Sequence, residues 1–306
     1  MNILIMAAGA VGGYFGSVLS KTNEVTFIAR GEHLEKIQKN GLSIKSVTSG
    51  NFVCESKAYE SPPPGYKADL IIFCVKEYQN QKACEVISNS VTDDTTILTL
   101  QNGLGSGEIL GKEFGRKKIL LGAAYIEASK GAPGLIVEHG GVCKITFGGQ
   151  TEEQTEKVQR LEQIFKVSSI DFTISKNIND DLWQKLVFIS ALSGMTCITR
   201  SSFKEVMAHP STRDITKALV NETASVASRL IPNFSTDTVG NVIEYLETHK
   251  ANLVSSMHQD LLAGNPMEID AINGAVSREG KNLGIPTPLN DMIASCLSLQ
   301  DLRARS

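Results

Sequence analysis

The chain has 306 residues, enough for two domains with well-buried cores. Thirty basic and 33 acidic side chains leave a formal charge of -3, and the lysines form no basic stripe, which argues against a nucleic-acid partner. The six cysteines are widely spaced with no C-x-x-C pair, and the five histidines show no H-E-x-x-H or comparable spacing, so buried thiols in a reducing cytoplasm and no metal are expected.

The nearly uncharged N-terminus admits three readings: a secretory signal, a membrane helix, or the first strand and turn of a nucleotide-binding domain. A signal needs a basic region ahead of its apolar stretch, and no basic side chain precedes Lys21. A spanning helix is at odds with the grouping of Gly9, Gly12, Gly13 and Gly16, so no membrane association is expected. The third reading accounts for more residues. Asn2 to Met6 reads as a buried parallel strand, Ala7 to Gly13 as a tight turn, and the residues from about Val11 to Ser20 as a helix. Ala7, Ala8, Gly9, Ala10, Val11 and Gly12 are then candidates to bind a dinucleotide. Gly9 admits a pyrophosphate to the backbone, Gly12 lets the helix approach the strand, and N–H groups at the helix start hold the phosphates. Ala7 stands where the G-x-G-x-x-G fingerprint begins with glycine, and the turn tolerates alanine if its φ is negative.

Glu24 to Arg30 is β-branched and aromatic and completes a βαβ unit. Arg30 ends it where NAD-binding domains place an acidic residue for the ribose diol. An arginine there either clamps a 2′-phosphate, favouring NADP, or is a solvated side chain at a strand end. Asp69 to Val75 is the next buried strand, with Lys76 at its carboxyl end. Thr96 to Leu100 runs into Gln101-Asn102-Gly103, a turn at the edge where open parallel sheets bind ligands. Strands at Ile119 to Ala123, Cys143 to Phe147 and Ile170 to Ser175 follow, with a helix from about Glu152 to Phe165.

Beyond Ser175 the strand signals stop. Asn179 to Ser193, Ser211 to Ile231, Val239 to Ala263 and Met267 to Leu283 read as helices. The expected architecture is an α/β Rossmann-type dinucleotide-binding domain over residues 1–175 and an all-helical C-terminal domain over residues 176–306, with a cleft between them.

Lys185 is followed by no charged residue until Arg200. It is either a lysine snorkelling from an apolar helix or a cleft lysine whose lowered pKa suits proton donation. Glu268 falls at the third position after Asn265 and Pro266, as in a capping box. Ser255 and Ser256 either bind a carboxylate or face another helix. Asp180 and Asp181 complement a helix start.

Taken together, Ala7 to Tyr14, Arg30, Val75-Lys76, Gln101-Asn102-Gly103, Leu182 to Leu186, Ser255 to Asp260 and Glu268 to Gly274 resemble, in order and approximate spacing, the ketopantoate reductases. The resemblance covers nearly the whole chain. It implies NADPH-dependent reduction of 2-dehydropantoate to pantoate, a step of pantothenate and coenzyme A synthesis. It gives Lys185 the part of donating a proton to the ketone oxygen or stabilising negative charge on it, with Glu268 orienting lysine and substrate, Ser256 holding the substrate and Asn102 positioning the cofactor. Gly9, Gly12, Arg30 and Lys76 would bind the dinucleotide. Ile189 and Ser193 stand where well-known members carry substrate-binding asparagines, and Leu253 precedes Ser256 by three residues where another is expected. Ser193 and Asn252 are the polar groups left for the substrate. Three readings stay open: ketopantoate, another 2-oxo acid, or a non-catalytic NADP-binding regulator. Family members are often dimers, and a homodimer is compatible with the chain.

Overall fold

The computed structural model describes residues 1–235 and 237–305. These fall into two compact units, one of residues 1–101 and 106–178, the other of residues 102–105 and the described residues from 179 onward.

The first unit is built on eight strands: β1 (Asn2–Met6), β2 (Glu24–Ile28), β5 (Lys57–Tyr59), β6 (Leu70–Phe73), β7 (Thr96–Thr99), β8 (Ile119–Tyr125), β11 (Lys144–Gly148) and β12 (Phe172–Ile174). Their order is β12-β11-β8-β7-β6-β1-β2-β5. From β8 to β5 all pairs are parallel, and β11 runs antiparallel to β8. All four residues of β6 and of β7 are buried, as in strands covered on both faces, and β6 is apolar throughout. The helices are α1 (Ala10–Leu19), α2 (Gly31–Asn40), α3 (Asn80–Ile87), α4 (Ser106–Phe114) and α5 (Thr155–Val167). Gly16 lets α1 seat on the sheet, since a Cβ there would lie 2.6 Å from the Phe27 ring and 2.7 Å from Ile5.

A second, four-stranded sheet has no counterpart in the sequence reading. It pairs β4 (Phe52–Cys54), β3 (Leu42–Ser46), β10 (Leu135–Glu138) and β9 (Ala128–Lys130) in that order. The alternation of Leu42-Ser43-Ile44-Lys45-Ser46 is a usable period-2 signal. Its parallel partner β10 lies about ninety residues downstream, beyond the reach of local pattern. Buried Glu138 ties the sheet to the loop after β3. Its carboxylate accepts from Ser46 Oγ at 2.6 Å and Thr48 N at 2.9 Å, and also from Gly140 N. Burial opposes its charge, but these donors prevail and hold the carboxyl below the usual range.

The second unit is helical: α6 (Ile178–Thr199), α7 (Phe203–Ala208), α8 (Pro210–Leu230), α9 (Thr238–His249), α10 (Ser256–Leu262), α11 (Asn273–Leu283) and α12 (Pro288–Arg305). By length and composition α6 could cross a membrane, yet most of its apolar stretch is buried among the residues of this unit's own core, as in a central core helix.

Several helices differ from the sequence reading. The expected helix from Val239 to Ala263 is two helices, because Ser255 caps a new one by accepting from His258 N at 3.2 Å. The helix expected from Met267 begins at Asn273, and Glu268 forms no capping box. Tertiary partners capture the intervening backbone: Met267 N donates to Asp301 Oδ1 of α12 at 2.7 Å, and Ala271 O accepts from Leu104 N at 2.9 Å. α7 and α12 went unread. α7 carries a capping box, Ser202 with Glu205, that is legible locally; the start of α12 is capped from a distance by Glu222, which accepts from Leu289 N and Asn290 N.

Candidate active site

Two clusters emerge, one in each unit. In the first, the parallel order β6-β1-β2 brings the carboxyl ends of these strands together, and with them Ala7 to Val11, exposed Arg30 and partly buried Lys76. The turn after β1 is tighter than expected. Ala7 adopts φ 82, a left-handed conformation costing a non-glycine residue about 1–2 kcal/mol, and not the negative φ that alanine prefers. A Cβ on Gly12 would drive into the carbonyl oxygen of Ala7, so close helix–strand approach requires glycine at that position. Ala8 N donates to Ile28 O at 2.9 Å, fixing the turn against β2.

Gly9, the extended N-cap of α1, has nothing within 4 Å of the position a Cβ would take. The first turn of α1 carries no acidic side chain, and its leading N–H groups have no intrahelical acceptor. Open space, free helix-start donors and a nearby arginine fit a dinucleotide: Ala7 to Gly12 to hold its diphosphate, Arg30 and Lys76 to meet further anionic or polar groups.

Behind this edge lies a buried polar network centred on Gln101. Its Nε2 donates to Val75 O at 2.8 Å and Asn80 Oδ1 at 2.6 Å, its Oε1 accepts from Thr99 Oγ1 at 3.0 Å, and Asn80 Nδ2 donates to Ser106 Oγ at 3.1 Å. These bonds fix the residues at which the chain leaves the first unit and re-enters it. Asn80 belongs to no motif, and its part was not readable from sequence.

Between those points, residues 102–105 belong to the helical unit, not to the α/β domain in which the sequence reading had placed them. Gly103, at φ 77, presses against the Ala271 carbonyl, and Leu104 N bonds the same oxygen. Asn102 is thereby held where its Oδ1 accepts from Lys185 Nζ at 2.9 Å. Burial pushes the Lys185 ammonium down to about 8, and the Glu268 carboxylate, itself 4% exposed, opposes that fall. An ammonium titrating there exchanges a proton readily near neutral pH. Lys185, Asn102 and Glu268 thus form one site, and the Lys185–Asn102 bond spans 83 residues of sequence.

The substrate candidates divide. Ser193 is buried and accepts from Ser255 Oγ at 2.9 Å, so Ser255 is the serine that faces α6. Ser256 is exposed on the first turn of α10, and Asn252 is exposed in the preceding turn. Ile189 lies one helical turn from Lys185 and is partly buried.

Comparison with known proteins finds likeness over both units. Residues 3–151 match the family model described as ketopantoate reductase PanE/ApbA, and residues 177–301 match its C-terminal counterpart. The 2-dehydropantoate 2-reductase of Pyrococcus horikoshii is 31% identical over 294 residues, covering 96% of this chain and 95% of the relative. A crystal structure of 2-dehydropantoate 2-reductase from Geobacter metallireducens superposes with a TM-score of 0.91 at 28% identity, over 98% of this chain and 99% of that one. A ternary structure of D-mandelate dehydrogenase with NADH and anilino(oxo)acetate is equally similar in fold, with TM-score 0.91 at 26% identity over 100% and 99% of the two chains. An α/β unit with a glycine turn, a helical unit with a depressed lysine, and family models matching both halves lead to one conclusion: the chain belongs to the ketopantoate reductase family, oxidoreductases that use a nicotinamide cofactor on 2-oxo acids.

Proposed function

We propose that this protein reduces 2-dehydropantoate to pantoate with NADPH, as a step of pantothenate synthesis. The observation that carries the reading is Lys185, an ammonium titrating near 8 and hydrogen-bonded to Asn102 beside Glu268. When bound, the nicotinamide supplies the hydride. Lys185 donates a proton to the ketone oxygen, which gains electron density as the carbonyl is reduced, and its charge stabilises that oxygen beforehand. Asn102 Oδ1 aims the ammonium, because a lysine has donors only and the amide oxygen fixes one of them. Glu268 keeps the ammonium protonated at working pH and orients the substrate. Ser256 and Asn252, exposed at the start of α10, are the polar side chains offered to the substrate, with Ser193 behind them. Arg30 is assigned to the 2′-phosphate of the cofactor, on its position after β2. All six cysteines are free thiols, which suits a reducing, cytoplasmic setting.

A second reading, reduction of a different 2-oxo acid, is favoured by apolar Ile189 and by the engagement of the Ser193 hydroxyl with Ser255. Buried polar groups of a substrate need partners, and this site offers few. A panel of 2-oxo acids assayed with NADPH and NADH separates the readings. Turnover of 2-dehydropantoate well above other branched or aromatic 2-oxo acids supports the first; preference for another acid replaces it. Tight NADPH binding without turnover of any of them would refute both.

A further inference from the structure

The turn that fits the cofactor is held by a residue outside every motif. His33, on α2, places Nε2 2.8 Å from Ala8 O and Nδ1 2.9 Å from Gly134 N. The backbone N–H of Gly134 can only donate, so Nδ1 must be the acceptor. The proton of the neutral ring therefore sits on Nε2 and is donated to Ala8 O. Both ring nitrogens are satisfied in one tautomer, and no other protonation state satisfies both.

Each end of this bridge is fixed. Ala8 is bonded through its N–H to Ile28 O, and it directly follows strained Ala7. Gly134 sits at φ 79 between β9 and β10, and its carbonyl accepts from Ser43 N at 2.9 Å. His33 thus joins the turn after β1 to the second sheet across 101 residues of sequence.

Resting on the reading of that turn as the dinucleotide site, we infer that His33 is a positioning residue for cofactor binding: neutral, it clamps the Ala7–Gly9 turn in its strained, binding-competent form. Protonation puts a hydrogen on Nδ1 and turns the Gly134 contact into donor against donor, which releases the ring from the sheet. Burial holds the imidazole below its ordinary value, and Lys130 on β9 adds to that effect while the bond to Ala8 O opposes it. On its own helix the nearest charged residues in sequence are Glu32, Glu35 and Lys36.

The test uses the full chain and measures NADP⁺ binding by calorimetry, NADP⁺ being the acid-stable form. Glutamine offers the same donor and acceptor without titrating. At about pH 7.5, H33Q is expected to bind within about threefold of wild type and H33L about tenfold more weakly, with kcat at saturating cofactor nearly unchanged in both. Toward about pH 5, wild type should lose at least about threefold in affinity relative to H33Q; the cofactor's own phosphate, with its second pKa of about 6, cancels in that ratio. H33L binding as tightly as wild type, or a wild type to H33Q ratio that stays flat with pH, would overturn the clamp. If H33L does not fold, the H33Q ratio decides alone. Wild type binding neither NADP⁺ nor NADPH would overturn the functional reading and the clamp with it, whereas tight wild-type binding with a flat ratio overturns the clamp alone.

Discussion

Replacing Glu268 with glutamine keeps the shape of the side chain and removes its charge. In the native site that charge works against burial, and Lys185 titrates at about 8 as the net result. A nearby carboxylate raises an ammonium by about 1–3 in pKa, so in E268Q the lysine should titrate at about 5–7. At about pH 7.5 a fall of 1.5 takes the protonated fraction from three quarters to a tenth, roughly an eightfold loss of the proton donor. The assay is the pH dependence of kcat in both directions. Reduction needs the ammonium, so its rate in wild type should fall above about pH 8 and in E268Q above a lower midpoint, with activity recovered in acid. Oxidation of the hydroxy acid needs the free amine, so its profile should move the same way with opposite slope. On the proposed reading Glu268 also orients substrate, so the maximal rate should fall too, but a lost contact alone leaves the midpoint in place. An alkaline limb that stays near 8 in E268Q would refute the assignment of the lysine, of its partner, or of both.

Three further outcomes test the frame of the site. Ala7→Gly should relieve the left-handed strain and, after the flexibility cost of glycine, stabilise the protein by about 1 kcal/mol, seen as a rise of about 2–4 °C in Tm; an unchanged or lower Tm refutes the strain. Gly103→Ala forces a Cβ into the Ala271 carbonyl at a φ suited to glycine, undocking residues 102–105, so kcat should fall at least about tenfold as Asn102 leaves Lys185. A kcat within twofold of wild type would show that this docking does not place Asn102. Arg30→Ala should cut the preference for NADPH over NADH by about 10–100-fold, the worth of a charge-assisted hydrogen bond, and an undiminished ratio of kcat/KM removes the 2′-phosphate role.

Much of the fold was written locally. Continuous apolar runs such as Leu70 to Phe73 specify strands buried on both faces, and the glycines at 9 and 12 mark a turn that must be open on one side and tight on the other. The helical character of the second half follows from its length and period, and the identities of Lys185 and Glu268 could be picked out by family likeness. For Lys185 the sequence left a snorkelling lysine and a depressed cleft lysine both open, and burial in the fold favours the second. Locally, Glu268 reads as a cap, and the structure shows its segment drawn out of the helix by Asp301 and Leu104. Locally, Ala7 reads as an alanine that suits the turn if its φ is negative, and in the folded chain its φ is 82.

The sequence by itself determined the buried strands of the larger sheet, the turn after β1 and the helical character of the second half, because those preferences depend on neighbours within a few residues. Only the tertiary structure decided that Asn102 belongs with Lys185, that Ser255 bonds Ser193, and that His33 joins the turn after β1 to Gly134 in a single tautomer. Each of these is a hydrogen bond or a charge effect between groups separated by 62 to 101 residues. Such pairings, and the desolvation that sets a lysine near 8, exist once the chain has folded and water has been excluded around them.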